Sequence, residues 1–500
     1  MTDQPRRKLV IVGGGTAGWI TAAAFARLLG STLDIALVES EAIGTVGVGE
    51  ATIPQIIRLN AILGLDEMEF VRETKGTFKL GIEFVDWGRK GSRYLHTFGD
   101  AGLTLAGVAF HHYWRRAAAG GHGHDLWHYS LHQLAADQAR FGKLDRVGNT
   151  AMTGLAYAYH FDAGLYAAYL RRYAEKMGVT RHEGIVRAVE RDGASGDIAA
   201  ITLDRGTRIA GDFFIDCTGF RALLLGEELG VGYRDWSKWL PCDRALAVPS
   251  ERLPRLVPYT RATARASGWQ WRIPLQHRTG NGHVYASAFV SDEEAAASLL
   301  QGLDTKALDD PRPLRFTTGR REAFWTHNCA AIGLSSGFLE PLESTSIHLI
   351  QSHVNRLIQL FPAQGDGAAE RAEYNRRCAA EFEQIRDFLI LHYHQTSRED
   401  SDFWNYCRNM EVPDSLTDKM ALFASSGRVG RDVDDLFREA SWVQVMLGQG
   451  IMPQGHDPMT DAMSEPQLAE FLGNVRLLIE RAVGGLPSHE EFIARHCAAG

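Results

Sequence analysis

Apolar positions come as short unbroken runs in the first part of the chain and at three-to-four spacing in the last part. That change of period predicts an α/β region followed by a helical one. An apolar run at 8–12 ends in glycines, and an alanine-rich helix follows over 16–29. A second buried strand at 33–38 closes on Glu39, completing the strand–turn–helix–strand unit of about thirty residues that a dinucleotide fold requires. Further on, the pattern predicts a helix at 161–177 and two strands within 186–205 around Asp192-Gly193. It also predicts a buried strand at 213–216 and strands across 246–290 with a turn at Gly280-Asn281-Gly282. A short strand at 330–334 and a helix at 347–360 precede the Pro/Gly-rich stretch 361–367, a natural boundary. The expected division is therefore 1–360, a dinucleotide-binding domain with a β-rich insertion facing the substrate, and 361–500, a mainly helical region completing the substrate pocket.

The first turn carries Gly13-x-Gly15-x-x-Gly18, with Thr16 and Ala17 opening the helix. Glycines there permit a tight turn and let backbone N–H groups approach a pyrophosphate at the helix N-terminus. Glu39, about twenty residues on, suits a ribose hydroxyl pair. Phe214-Ile215-Asp216-Cys217-Thr218-Gly219 resembles a strand of two-domain flavoproteins. Gly333-Leu334-Ser335-Ser336-Gly337 stands where such proteins carry a late flavin loop, with Leu334 in place of the usual acid. These elements favour FAD over NAD. No second dinucleotide fingerprint is evident, so the flavin is expected to arrive reduced.

Composition narrows the class. A net charge of -8 over 500 residues argues against a nucleic-acid partner. No apolar run is long enough to span a membrane, and the N-terminus enters a strand too soon for a signal peptide. Six cysteines without a regular framework suit reduced thiols in the cytoplasm. His111-His112 and His392/His394 lack metal-site spacing and read as core or surface histidines, so no metal is expected.

The segment Gly268-Trp269-Gln270-Trp271-Arg272-Ile273-Pro274 places two indoles on one face of an extended strand. Taken alone, it reads equally as a strand burying two large aromatics. With Ile273 and Pro274 it matches the WxWxIP signature of the flavin-dependent tryptophan halogenase family. Other segments resemble the same family in order along the chain. Gly47-Val48-Gly49-Glu50-Ala51-Thr52-Ile53-Pro54 is similar to its flavin-contacting strap, and Phe78-Lys79-Leu80-Gly81-Ile82 to the segment with its essential lysine. His96-x-Phe98 resembles its substrate-lining pair, Pro341-Leu342-Glu343-Ser344-Thr345 its catalytic and halide loop, and Arg398–Trp404 a stretch of its helical part.

The resemblance implies a fold, the two-domain flavoprotein monooxygenase type with a Rossmann-type FAD-binding domain, and a chemistry. Reduced FAD, O2 and a halide yield hypohalous acid, which passes through a tunnel to an aromatic substrate. Lys79 is implied to receive the hypohalous acid by hydrogen bonding or as a haloamine; without the family it would read as a solvated lysine. Glu343 is implied to stabilise the cationic ring intermediate and take its proton. The alternatives for that loop are Glu343 as an N-cap acid, or Glu340 in the catalytic role. Thr345 and Ser346 are implied to hold the halide, with Ser346 replacing the family's glycine and suggesting bromide over chloride. Gly49, Glu50, Ala51 and Leu334 are implied flavin contacts; His96, Phe98, Trp269, Trp271, Ile273 and Pro274 line the substrate side.

After Tyr406 the chain has no tyrosine, and the apolar Trp442-Val443-Gln444-Val445-Met446 stands where the family clamps free tryptophan. Unpaired zwitterion charges against such a wall are costly, which favours an indole. The expected partner is a separate NAD(P)H-dependent flavin reductase, and a homodimer is left open. Two rival readings are an aromatic hydroxylase, using the same flavin chemistry, and a catalytically silent flavin-binding protein.

Overall fold

In the computed structural model, which describes residues 6–43, 49–363, 367–430 and 435–500, the strand Arg7–Val12 forms where four consecutive apolar side chains are buried on both faces. Such runs are typical of central parallel strands. It is flanked by Leu33–Glu39 and Phe213–Asp216, both parallel to it, and the sheet continues to Thr180–Glu183 on one side and Cys329–Ala331 on the other. An antiparallel edge strand, Trp325–Thr326, closes the far side. Helices Thr16–Leu29, Ala163–Lys176 and Ser346–Gln359 accompany this sheet, the last two beside the first. Together these belong to one compact unit of residues 1–75, 161–237 and 316–382.

The second unit collects 76–160, 238–315 and 383–500. Its centre is a seven-stranded sheet in the order Arg312–Arg315, Arg244–Glu251, Arg278–Tyr285, Gly268–Pro274, Thr260–Arg265, Gly81–Val85, Arg93–Thr97. All neighbours are antiparallel except Thr260–Arg265 beside Gly81–Val85. Helices Phe110–Ala119, Glu439–Gly448, Glu465–Gly484 and His489–His496 belong to this unit. The 27-residue helix Ala368–His394 starts in the first unit and ends in the second. Among the described residues no helix is long and apolar enough to cross a membrane.

Two expected elements differ. The helix expected at 161–177 begins at Ala163, because residues up to Asp162 pair as the strand Ala158–Asp162. Asp162 then caps the helix, its carboxylate accepting from the N–H groups of Gly164 and Leu165. Gly280-Asn281-Gly282 is no turn: the strand Arg278–Tyr285 runs straight through it, and the chain reverses at 275–278, where Leu275 N–H bonds the Arg278 carbonyl. Glycine is needed at 282 for another reason. It faces Trp271 across the ladder, and any Cβ there would run into the indole. Of the boundary stretch 361–367, residues 364–366 lie outside the described residues.

Candidate active site

The first unit builds a nucleotide cradle from the predicted turn. Gly13 adopts φ 116° with its Cα against the Cys217 carbonyl, and its N–H bonds the Val38 carbonyl at 2.8 Å. A Cβ at Gly18 would strike the Gly13 carbonyl, so both glycines serve close backbone packing. Gly15 instead borders open space at the start of the helix, whose first turn contains no acid. Free N–H groups, room beside them and Glu39 nearby fit the pyrophosphate and ribose of FAD. The Glu39 carboxylate accepts from Arg181 Nε at 2.6 Å and Trp19 Nε1 at 3.2 Å, so a ribose would share it with these two donors. The turn Gly333–Ser335, carrying Leu334, stands against the opening of the same helix: a Cβ on Gly333 would lie 2.7 Å from that of Ala17.

Sequence reasoning gave Asp216 no role of its own. It is fully buried, and its carboxylate accepts from Thr218 N–H and Oγ1 (2.9 and 2.6 Å) and from the N–H groups of Leu224 and Leu225 (2.8 and 2.9 Å). It caps the turn that follows its strand. Gly49, Glu50 and Ala51 form a short strand, while Gly47 and Val48 of the strap lie outside the described residues.

The Glu343 loop also lies in this unit. Pro341–Glu343 makes one helical turn, Ser344 takes left-handed backbone at φ 59°, and the helix Ser346–Gln359 follows with Thr345, not Glu343, as its N-cap. Glu343, Ser344 and Thr345 are all buried. The Thr345 hydroxyl is buried and makes no hydrogen bond among the described residues. An orphaned donor beside a helix N-terminus with no acid on its first turn is an anion-compatible arrangement.

In the second unit Lys79 ends the short strand Thr77–Lys79 and is fully buried. Its Nζ lies 5.2 Å from the centre of the Phe98 ring, within cation–π range. Phe98 N–H bonds the Leu80 carbonyl at 3.0 Å, which brings the His-x-Phe segment beside the lysine strand. Phe78, on the opposite face, stacks on Phe141 at 4.2 Å and meets Phe492 edge-on at 5.3 Å. Thr77 shares the face of Lys79 and donates to the Pro274 carbonyl at 2.7 Å, tying the end of the tryptophan motif to the lysine strand.

Since the Thr77 proton is used on Pro274, its oxygen accepts from His160 Nδ1 at 2.9 Å. His160 Nε2 is then left to accept from the Thr260 hydroxyl at 2.9 Å. Burial above all, then the Lys79 charge and His489, hold His160 well below the usual histidine range, so it stays neutral. This Pro274–Thr77–His160–Thr260 chain was missed in the sequence, where only the i, i+2 spacing of Thr77 and Lys79 hints at it.

His96 is buried, its ring 5.6 Å from Phe388 and 6.2 Å from Phe437. Phe437 stacks on Phe388 at 3.9 Å and Trp442 meets Phe388 edge-on at 4.8 Å. Gln444 accepts from Thr97 N–H at 2.8 Å and donates to the Gly99 carbonyl at 3.1 Å, pinning the segment that holds Phe98. A cavity of about 890 Å³ opens beside Phe437, Trp442 and Gln444, with Arg428, Glu439 and Asp457 also on its wall. Trp269 and Trp271 lie 6.1 Å apart on one face, both buried, in a cluster with Trp87 and Trp404. Ile273 and Pro274 are buried in the same strand.

The model of the "Tryptophan halogenase" family matches residues 8–465. The chain belongs to the tryptophan halogenase family. Tryptophan 6-halogenase SttH of Streptomyces toxytricini is 35% identical, over 97% of this chain and 98% of that protein. Among solved structures, Xcc4156, a flavin-dependent halogenase from Xanthomonas campestris, has a TM-score of 0.96 at 51% identity, covering 99% of each chain. BrvH, a flavin-dependent halogenase from Brevundimonas sp. BAL3, has a TM-score of 0.94 at 45% identity, covering 98% of this chain and 99% of its own. This protein is accordingly a flavin-dependent halogenase, an oxidoreductase with a Rossmann-type FAD-binding fold and a helical C-terminal part. The hydroxylase reading finds no support among these similar proteins.

Two titratable features of the halogenase stand apart. Burial raises the Glu50 carboxyl to about 7. A folded-state value above the unfolded one favours the protonated form, so this contribution is intact at low pH and is lost as pH rises through 7. In the flavin-free protein, Glu50→Gln should shrink the stability difference between pH 5.5 and 8 by on the order of 2 kcal/mol, gaining at pH 8. Denaturant titrations at the two pH values measure this, and an unchanged difference would refute it.

The second is the one group among the described residues with metal-like spacing, His111, His112 and Glu439, whose ligand atoms lie within 4.8 Å of one another. His111 Nε2 donates to the Gly427 carbonyl at 2.8 Å, while His112 Nδ1 accepts from Asp457 N–H at 3.2 Å. That leaves the proton of His112 on Nε2, a tautomer that opposes ligation through that nitrogen.

Proposed function

We propose that this halogenase uses FADH2, O2 and a halide, bromide in preference to chloride, to halogenate a neutral indole-type ring. The observation that carries the proposal is Lys79, fully buried beside Phe98 on a strand anchored through Thr77 to Pro274. When bound and reduced, the flavin supplies the oxygen chemistry. The Gly13–Gly18 turn binds its pyrophosphate, Glu39 its ribose, and the segments at 49–51 and Leu334 flank it.

Thr345 and Ser346 hold the halide, the orphaned Thr345 hydroxyl donating to it. Ser346 adds a Cβ and a hydroxyl where the family carries glycine, changing the space and donors around the ion, and bromide is the halide more easily desolvated and oxidised. Lys79 receives hypohalous acid, by hydrogen bond or as the haloamine, in which an N–halogen bond replaces an N–H bond and the displaced proton leaves with the hydroxide of the acid as water. The halogen then passes to the ring, Glu343 takes the proton that leaves the attacked carbon, and a proton returns to the Lys79 nitrogen, or to the hydroxide where the acid was only hydrogen-bonded. Trp269 and Trp271 keep the ring from the flavin, so only the small oxidant travels. His96, Phe98, Ile273 and Pro274 line the substrate side.

The apolar stretch at Trp442–Met446 and the missing late tyrosines support indole over free tryptophan. A separate NAD(P)H-dependent reductase supplies FADH2. Six buried free thiols suit a cytoplasmic setting.

The test supplies reduced FAD, oxygen, equimolar bromide and chloride, and either indole or tryptophan, with products read by mass. Brominated indole should dominate. Mainly chlorinated product would overturn the halide assignment, and faster turnover of tryptophan would overturn the substrate.

A further inference from the structure

A second cavity, of about 370 Å³, lies beside the strand Gly268–Pro274, with Trp271 on its wall together with Gln270 and Arg272. Alternation along that strand sends the Gln270 and Arg272 side chains to one face of the sheet. Four arginines line it, Arg93, Arg261, Arg265 and Arg272, against two carboxylates, Glu83 and Asp304. Each carboxylate is already shared. Glu83 pairs with Arg93 and, at 2.5 Å, with Arg261; Asp304 pairs with Arg272 and, at 3.7 Å, with Arg261. At the rim Arg93 also reaches Asp137 at 3.1 Å.

Arg265 is different. Among the described residues its side chain hydrogen-bonds a neutral amide, Gln270 Oε1 at 2.7 Å, and no carboxylate. Among the described residues its Nε is buried without a partner, and so is the Nε of Arg272. Burial holds Arg265 below the usual arginine value, against the charges of Asp86 and Asp304, and Arg398 adds to the depression. Gly302, just past the helix Asp292–Gln301, keeps the space open, since a side chain there would meet Gln270 and Arg265. Buried guanidinium donors left unpaired are costly, and a planar fork matches the oxygens of an oxyanion better than a spherical halide.

We propose that this cavity is a binding site for a phosphate-class oxyanion, inorganic phosphate or a phosphomonoester, seated between Arg265 and Arg272. The occupant bridges the strands Thr260–Arg265 and Gly268–Pro274 and so braces the strand that carries Trp269 and Trp271. The charged residues that would hold the oxyanion, Arg265 and Arg272, have no assigned part in the halogenation chemistry, although Trp271 borders the same cavity.

The test is calorimetric titration of the full-length protein with inorganic phosphate at constant ionic strength, alongside thermal unfolding. Phosphate should bind saturably and raise the unfolding midpoint by about 2–3 °C at roughly a hundred times its Kd, whereas sodium chloride of equal ionic strength should not. Arg265→Gln should weaken phosphate binding at least tenfold. Asp304→Asn, which removes a carboxylate from the wall, should tighten it several-fold and guards against a misfolded arginine variant. Non-saturable binding, an equal effect of chloride, or binding unmoved in Asp304→Asn would overturn the proposal.

Discussion

Lys79→Met is expected to abolish halogenation while leaving the flavin half of the reaction running. Methionine keeps an unbranched chain of similar length in a fully buried site, so the substitution removes the amine with little change in packing. What disappears is the group proposed to receive hypohalous acid. A positioned group of this kind contributes roughly 10²–10⁴-fold, so halogenated product should fall by about 10³. FADH2 and oxygen should still be consumed at the wild-type rate, with the oxidant escaping to a scavenger in solution. Product mass and oxygen uptake, measured together, separate this from a folding defect, which would lower both. Halogenation within tenfold of wild type would remove Lys79 from the mechanism.

Glu343→Gln should lower kcat by about 10²–10³ with little change in KM, the loss expected for an electrostatic and proton-accepting group that acts in the transition state. Glutamine retains the shape of the buried side chain, so thermal stability should change little. Oxygen uptake should again be unaffected, because the flavin chemistry precedes this step. Glu340, also fully buried and three residues earlier, is the built-in control. If Glu340→Gln shows the larger kcat loss, the proton acceptor is Glu340 and the Glu343 assignment falls.

Local patterns along the chain foretold most of the first unit. The helix Thr16–Leu29 and the strand Phe213–Asp216 occur at their expected bounds, since each is specified by its own period and flanking glycines. The Gly280-Asn281-Gly282 signal misled for a reason no local rule contains. Its central strand needs a missing side chain to admit Trp271 from the neighbouring strand, and turn chemistry and close packing both select glycine. Thr77 and His160 are eighty-three positions apart, so their hydrogen bond had no signature in either segment. Asp216 looked like part of a flavin motif, yet its four hydrogen bonds hold the backbone after its own strand.

By itself, the sequence determined the dinucleotide turn and the family, and it singled out Lys79 and Glu343 as the residues to test. Each of these rests on residue types within a few positions of one another, where covalent geometry sets the spacing. Only the tertiary structure decided which distant segments share a unit, as when Gly81–Val85 pairs with Thr260–Arg265. It alone buried Lys79 beside Phe98, fixed the tautomer of His160, and gathered four arginines around two carboxylates. Those outcomes depend on how buried area and hydrogen bonds are satisfied across the whole chain, and any one segment is compatible with many such arrangements.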